Sequence, residues 1–286
     1  MLRESSESRW KRASNLPAIA FLGLAVSTAT TFSSAIQAKD QLSASETLLL
    51  LDSLIPRSSV GASTYGIPSG YGLNHGQAYL SGSVTNKRQL ADERSGERID
   101  GSYAFGVGFG DPNNGVGIES NVGILSSTPG DQDEAGNLGF KIHKRLDSEL
   151  GPVGVSAGAS NVMPWGDPEA IKTSYYASAS LITTQTRFPN LRPDLMITGG
   201  ASTGARNYGQ DPGLFIGIGG KLADTASVSV SWSGDELVAG STFQPDLRYP
   251  VMLSAGIGDI TKANDAQRLL FSISYTFQAF DTEILK

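Results

Sequence analysis

From Gln77 onward, apolar residues alternate with small or polar ones at every second position, and the pattern recurs down the rest of the chain. In Ser102–Gly110, Tyr103, Phe105, Val107 and Phe109 alternate with Ala104, Gly106, Gly108 and Gly110. In Gly115–Leu125, Val116, Ile118, Val122 and Ile124 share one parity, while Glu119, Asn121 and Gly123 share the other. In Asn137–Leu146, Leu138, Phe140, Ile142 and Leu146 oppose Lys141, His143 and Arg145. Successive side chains of a strand point to opposite faces, so a period of two predicts strands with one apolar and one small or polar face. The first such segment is Gln77–Lys87. After the three above come Val153–Met163, Thr173–Thr186, Asp194–Ala205, Gly213–Leu222, Ala226–Ser233, Glu236–Phe243, Val251–Ile260 and Gln267–Phe277. Twelve strands over residues 77–286 give about 17 residues per strand with its connection, which suits tilted strands of ~9–11 residues crossing a bilayer.

The second face decides which solvent the apolar face meets. A soluble β-sandwich also alternates, but its outer face is rich in charge. Here that face is mostly Gly, Ser, Ala and Thr, as in Ser227, Ser229 and Ser231 opposite Val228, Val230 and Trp232, and the chain holds 34 glycines. Charges collect between the segments, as in Asp92-Glu93-Arg94 and Asp131-Gln132-Asp133-Glu134. Small polar residues suit a shared lumen, whereas so uncharged an exposed sheet would invite aggregation. The connections mostly alternate too. Arg88–Gly101, Ser126–Ala135, Pro164–Lys172 and Arg206–Pro212 are long; Asp111–Asn114, Asp147–Pro152 and Ala223–Thr225 are short. A meander with both ends on one side of a membrane gives this pattern. Two connections depart from it: Gly234-Asp235 is tight on the side of the long loops, and Phe188–Pro193 exceeds a simple turn. The expectation is an all-β fold: an antiparallel up-and-down transmembrane β-barrel of about 12 strands. A soluble exported β-sandwich is the alternative.

The first 76 residues follow other rules. Arg3, Arg9, Lys11 and Arg12 precede an uncharged apolar run from Leu16 to Val26, and small residues lead to Ala35 and Ala38. That order reads as a signal peptide over 1–38, exported through a Sec-type route; the run of about eleven residues is short of the ~20 that span a bilayer as a helix. Residues 39–76 read as a short helix (Ser45-Glu46-Thr47 starting it, Pro56 ending it) and a flexible linker rich in Gly, Ser and Tyr. This segment is a short plug, a docking peptide or a loose tether to the barrel domain, 77–286. Removing 1–38 leaves 18 basic and 26 acidic residues, a net charge of −8. That acidity argues against nucleic-acid binding. There is no cysteine, which excludes thiol chemistry and disulfides, and two histidines offer little to a metal. No cofactor is expected.

The last segment is more specific. Leu269, Phe271, Ile273, Tyr275 and Phe277 form an alternating strand ending in an aromatic residue. It resembles the C-terminal strand of bacterial outer-membrane β-barrel proteins, which their assembly machinery recognises, although Gln278–Lys286 continues past the aromatic residue. The hairpin Trp232–Leu237, continuing to Phe243 and Pro245, is similar to one in uncharacterised Gram-negative barrels, cyanobacterial ones included. The resemblance spans residues 77–277 by pattern. It implies a porin-like barrel in the bacterial outer membrane, with membrane lipid, the assembly machinery and small solutes as partners.

Little points to catalysis. Gly106–Gly110 and Gly217–Gly220 lie inside strand patterns, whereas a nucleotide loop needs a strand-to-helix turn. His143 shares the lumen parity, so it cannot serve a lipid-facing nucleophile; His75 reads as a solvated linker residue. The lumen-lining candidates are Glu119, Lys141, His143 and Arg145. Position sums near 260–262 set Glu119 opposite Lys141 or His143. A basic stripe there would favour anionic solutes, or the same charges would pair and close a small barrel; both readings stay open. Tyr103, Phe109, Tyr175, Trp232, Tyr275 and Phe277 lie near strand ends, as membrane-interface aromatics do. The function expected is a channel for small solutes or a structural barrel. Alternatively, a non-conducting barrel would act in adhesion or as a scaffold through its outer loops. An enzyme is not expected.

Overall fold

A computed structural model describes residues 61–86, 100–125, 135–166, 172–183, 194–207, 209–263 and 267–280. The expected signal peptide and the helix near residues 45–55 lie outside them. Among the described residues twelve strands run in order: β1 (Gln77–Thr85), β2 (Asp100–Gly110), β3 (Gly117–Leu125), β4 (Ala135–Ser148), β5 (Gly151–Trp165) and β6 (Ser174–Thr183) form the first half. The second half is β7 (Leu195–Arg206), β8 (Asp211–Ala223), β9 (Ala226–Trp232), β10 (Leu237–Phe243), β11 (Val251–Gly258) and β12 (Arg268–Gln278). Each strand pairs antiparallel with its sequence neighbours, and β1 also pairs with β12, from Gln77↔Gln278 to Thr85↔Leu270. Closure leaves no edge strand, so every strand finds ladder partners on both sides.

The sides of this wall are inverted relative to a soluble protein. Outward positions carry the large apolar residues: Ile142 is 56% exposed and Leu214 72%. Inward positions carry buried hydroxyls, with Ser180 at 1% and Thr198 at 0%. In water so continuous an apolar exterior would drive aggregation; against lipid it is the stable arrangement. The single closed sheet therefore overturns the soluble-sandwich alternative. Hydroxyl pairs lace neighbouring strands on the inner face. Ser83 and Ser102 lie 2.6 Å apart, Ser156 and Ser178 2.8 Å, Ser180 and Thr198 2.7 Å, and Ser174 and Ser202 2.7 Å. Small side chains permit this, because each hydroxyl sits close to the backbone and loses little rotamer freedom on pairing.

β1 begins and β12 ends at one end of the barrel, here called proximal. The proximal connections include the short links between β2 and β3, β4 and β5, and β8 and β9. The distal link between β7 and β8 is shorter than expected, because both strands extend into the stretch read as a loop. Strand length varies from 7 residues in β9 and β10 to 15 in β5, so the distal rim is low over the β9–β10 turn. β5 reaches its length with irregular pairing to β4, where Asn161 and Met163 adopt positive φ. An extra residue of this kind bends a strand locally without ending it.

Candidate functional site in the barrel lumen

Residues 61–76 (the strap) run inside the barrel along its inner wall, close to the proximal end. The sequence Gly-Ala-Ser-Thr-Tyr-Gly-Ile-Pro-Ser-Gly-Tyr-Gly-Leu-Asn-His-Gly has no period of two and a proline at position 68, so it forms no ladder with the wall. Its buried backbone groups still need partners, and inward side chains supply them. Ser229 Oγ accepts from Tyr65 N at 3.0 Å, Ser180 Oγ from Gly70 N at 2.9 Å, and Glu119 Oε2 from Leu73 N at 3.1 Å. Ser156 Oγ donates to Ser69 O at 3.0 Å and Lys141 Nζ to Tyr71 O at 3.2 Å. Tyr71 closes one side by donating its hydroxyl to Pro152 O at 2.6 Å, and Thr64 Oγ1 donates to Thr198 Oγ1 at 3.0 Å. The strap thus sweeps from β9 and β7 across β6 and β5 to β4 and β3. A turn at His75-Gly76, with Gly76 at φ +74° and its N–H donated to Gly108 O at 2.9 Å, then delivers it into β1.

The structure brings three of the four sequence-predicted lumen residues together on this strap. Glu119 pairs with Lys141 across the β3–β4 register at 3.7 Å, and His143 stands opposite Gly117 on the same two strands. His143 Nε2 lies 3.1 Å from Leu73 O. A carbonyl only accepts, so this nitrogen carries the proton. Glu119 and His143 therefore hold the N–H and the C=O of one residue, Leu73. Arg145 sits apart, towards the proximal mouth. Its guanidinium donates to Asn113 Oδ1 at 3.1 Å and lies 5.7 Å from the centre of the Tyr71 ring. His75 is a correction: it is no solvated linker residue, since its Nδ1 accepts from Gly110 N at 3.1 Å and its ring meets Phe280 edge-on.

Two features escaped the sequence reading. One is how the strap is held, since the plug reading named none of its partners on the wall, such as Ser156, Ser180 and Ser229. The other is a second ion pair, Arg268 with Glu236, joined by two hydrogen bonds at 2.6 and 2.8 Å and almost fully buried. These residues flank β11, and Gly258 on that strand leaves the space over which Arg268 passes. Above the strap, towards the distal end, a cavity of about 440 Å³ is floored by Gly66 to Pro68 and bordered by Lys141, Asn161, Tyr176, Glu236 and Arg268. Among the described residues, no group of His, Asp and Glu is placed to hold a metal ion, and no helix is long and apolar enough to cross a membrane.

Wall and lining together define a class: a closed up-and-down β-barrel, apolar outside and polar inside, of the membrane-spanning kind. No family model and no curated protein sequence matches the chain. Among solved structures it is similar to the KdgM porin in complex with disordered oligogalacturonate, at 8% identity and a TM-score of 0.44 over 70% of this chain and 99% of that one. It is also similar to the COG4313 outer membrane channel from Pseudomonas putida F1, at 10% identity and a TM-score of 0.42 over 72% and 97%. The Acinetobacter baumannii outer membrane protein Omp33 is a third, at 12% identity and a TM-score of 0.39 over 72% and 100%.

Proposed function

We propose that this chain is an outer-membrane barrel that passes small solutes through its lumen. The observation that carries this reading is the inverted wall: exposed Ile, Leu and Phe outside, with buried hydroxyls and paired charges around a polar interior. Aromatic residues mark both rims of the apolar belt. Tyr103, Tyr175 and Trp232 lie at the distal ends of their strands and Phe109, Tyr275 and Phe277 at the proximal ends. This placement supports two interfacial girdles. Export follows from residues 1–38 acting as a cleaved signal, and insertion from the aromatic-ended β12 meeting the assembly machinery. In that orientation the proximal end is periplasmic.

The strap gives weight to a second reading, a plugged barrel whose work is done by its outer loops. Refolded protein in a planar bilayer separates the two: discrete current steps are expected for the channel, and a folded, inserted barrel without current would favour the plugged one. Fractionation with N-terminal sequencing tests the localisation. The mature chain should sediment with outer membranes and begin near Ile36 or Lys39; an intact Met1 in the soluble fraction would refute it.

A further inference from the structure

We propose that the inner wall is a peptide-binding site whose resident ligand is the chain's own segment Gly61–Asn74, and that the seating of this segment sets the bore of the pore. The inference rests on the channel reading for its second half only. Three observations carry it.

The wall meets the strap through inward side chains that also join neighbouring strands, so one set of groups serves the barrel and the segment inside it. Glu119 and His143 clamp the two backbone groups of Leu73, Ser180 takes Gly70 N, and Ser156 reaches Ser69 O. The wall is also cut to the shape of the strap. A Cβ at Gly154 would fall 2.8 Å from the carbonyl carbon of Gly70, and one at Gly256 would fall 2.6 Å from the Tyr65 ring. Such close approach explains glycines in strand interiors, where they otherwise weaken a sheet. Finally, hydrogen bonds to the wall satisfy backbone groups of the segment at Tyr65, Ser69, Gly70, Tyr71 and Leu73, and water can replace these bonds when the segment leaves. Apolar anchoring comes from few residues, chiefly Tyr65, Ile67, Tyr71 and Leu73. A seat of this kind holds well while the segment is tethered at Gln77, because the tether keeps its local concentration high. An untethered copy should bind the same groove more weakly.

The test compares the mature chain with a variant lacking residues 61–73, which keeps the Asn74–Gly76 turn into β1. Both are refolded and checked for the heat-modifiable migration of a closed barrel. The variant should conduct at least about two-fold more than the parent. A synthetic Gly61–Asn74 peptide should return its conductance towards the parent value, and a scrambled peptide should leave it unchanged. A fluorescent version of the peptide should bind the shortened barrel and not the complete one. A folded variant with parental conductance and no peptide binding overturns the proposal. Peptide binding without current in either protein upholds the site and sinks the channel reading instead. If the deletion fails to fold, Gly154→Val in the complete chain serves, since valine suits a strand and leaves the wall itself sound. With Ser69→Cys as the sole thiol, labelling by a membrane-impermeant maleimide should be faster in the Gly154→Val background; equal rates overturn the proposal.

Discussion

At the scale of single residues, the period of two made the facing of most side chains legible. Glu119 was expected opposite Lys141 or His143, and the register sets it against Lys141. Depth was not legible, and it matters for what a substitution costs. Ile118 is the second residue of β3, beside the proximal end, whereas Val122 lies near the middle of that strand. Arginine at Val122 should therefore cost about 2–4 kcal/mol of barrel stability, and at Ile118 markedly less, because a charge near an interface reaches water. Urea unfolding in lipid vesicles measures both, and equal losses would contradict the depth assignment. Contacts that skip a strand were also hidden: no alternation rule pairs Glu236 with Arg268 across β11, since the pairing depends on the space at Gly258. In the β2–β3 turn, the Asn113 N–H and the Asn114 amide donate to Asp111 and hold its carboxyl below the ordinary value of 3.8. A depressed folded-state value means that the stabilisation is present above the unfolded pKa and fades as pH falls through the lower, folded one. Carbon NMR of the Asp111 carboxyl in micelles should thus give a midpoint below 3.8; one at or above it would refute the turn geometry.

Elements divide sharply into those that sequence can announce and those it cannot. All twelve strands fall within a few residues of their expected bounds, because a strand that meets lipid on one side and a polar interior on the other must alternate along its length. The strap carries no such mark. Its partners are side chains 46 to 164 residues away, such as Glu119 for Leu73 and Ser229 for Tyr65, and a Gly-rich run without periodicity reads as a loose tether more readily than as a plug. Beside the distal cavity, the Glu236–Arg268 pair ties β12 to the turn before β10, with side chains 5% and 11% exposed. Arg268→Met leaves the Glu236 carboxylate buried without that guanidinium and should cost about 3 kcal/mol, at the low end for a broken buried pair because the cavity lies beside it. Adding Glu236→Leu should recover much of the loss, since two apolar side chains replace a desolvated pair. Denaturant midpoints of the two singles and the double variant decide the matter. A double variant as unstable as the sum of the singles would mean that the two residues act independently.

For the whole molecule, the distribution of charge matters more than its total. Acidic and basic residues sit mostly in the connections, while the lumen holds opposed partners: Glu119 against Lys141 and Glu236 against Arg268. The two open readings of the lumen charges, an anion-favouring stripe or a set of structural pairs, thus have different standing for different residues. Lys141 sits beside a carboxylate, while Arg145 donates to the neutral amide of Asn113 near the mouth. In a conducting barrel the lumen field should be weak, and the reversal potential under a salt gradient should lie near zero. Removing one member of the Glu119–Lys141 pair uncovers the other in a narrow, partly dehydrated passage, where a single charge acts through a lower effective dielectric than in bulk water. Lys141→Gln should then shift selectivity towards cations, and Glu119→Gln towards anions by a similar amount. The double variant should return close to the parent, because the two charges cancel at 3.7 Å. Arg145→Gln should move selectivity towards cations by less than Lys141→Gln, since salt screens a charge at the mouth over about 10 Å at 0.1 M. If the Lys141 and Glu119 single variants shift the potential in the same direction, or neither shifts it in a conducting protein, this pair does not border the path of the ions.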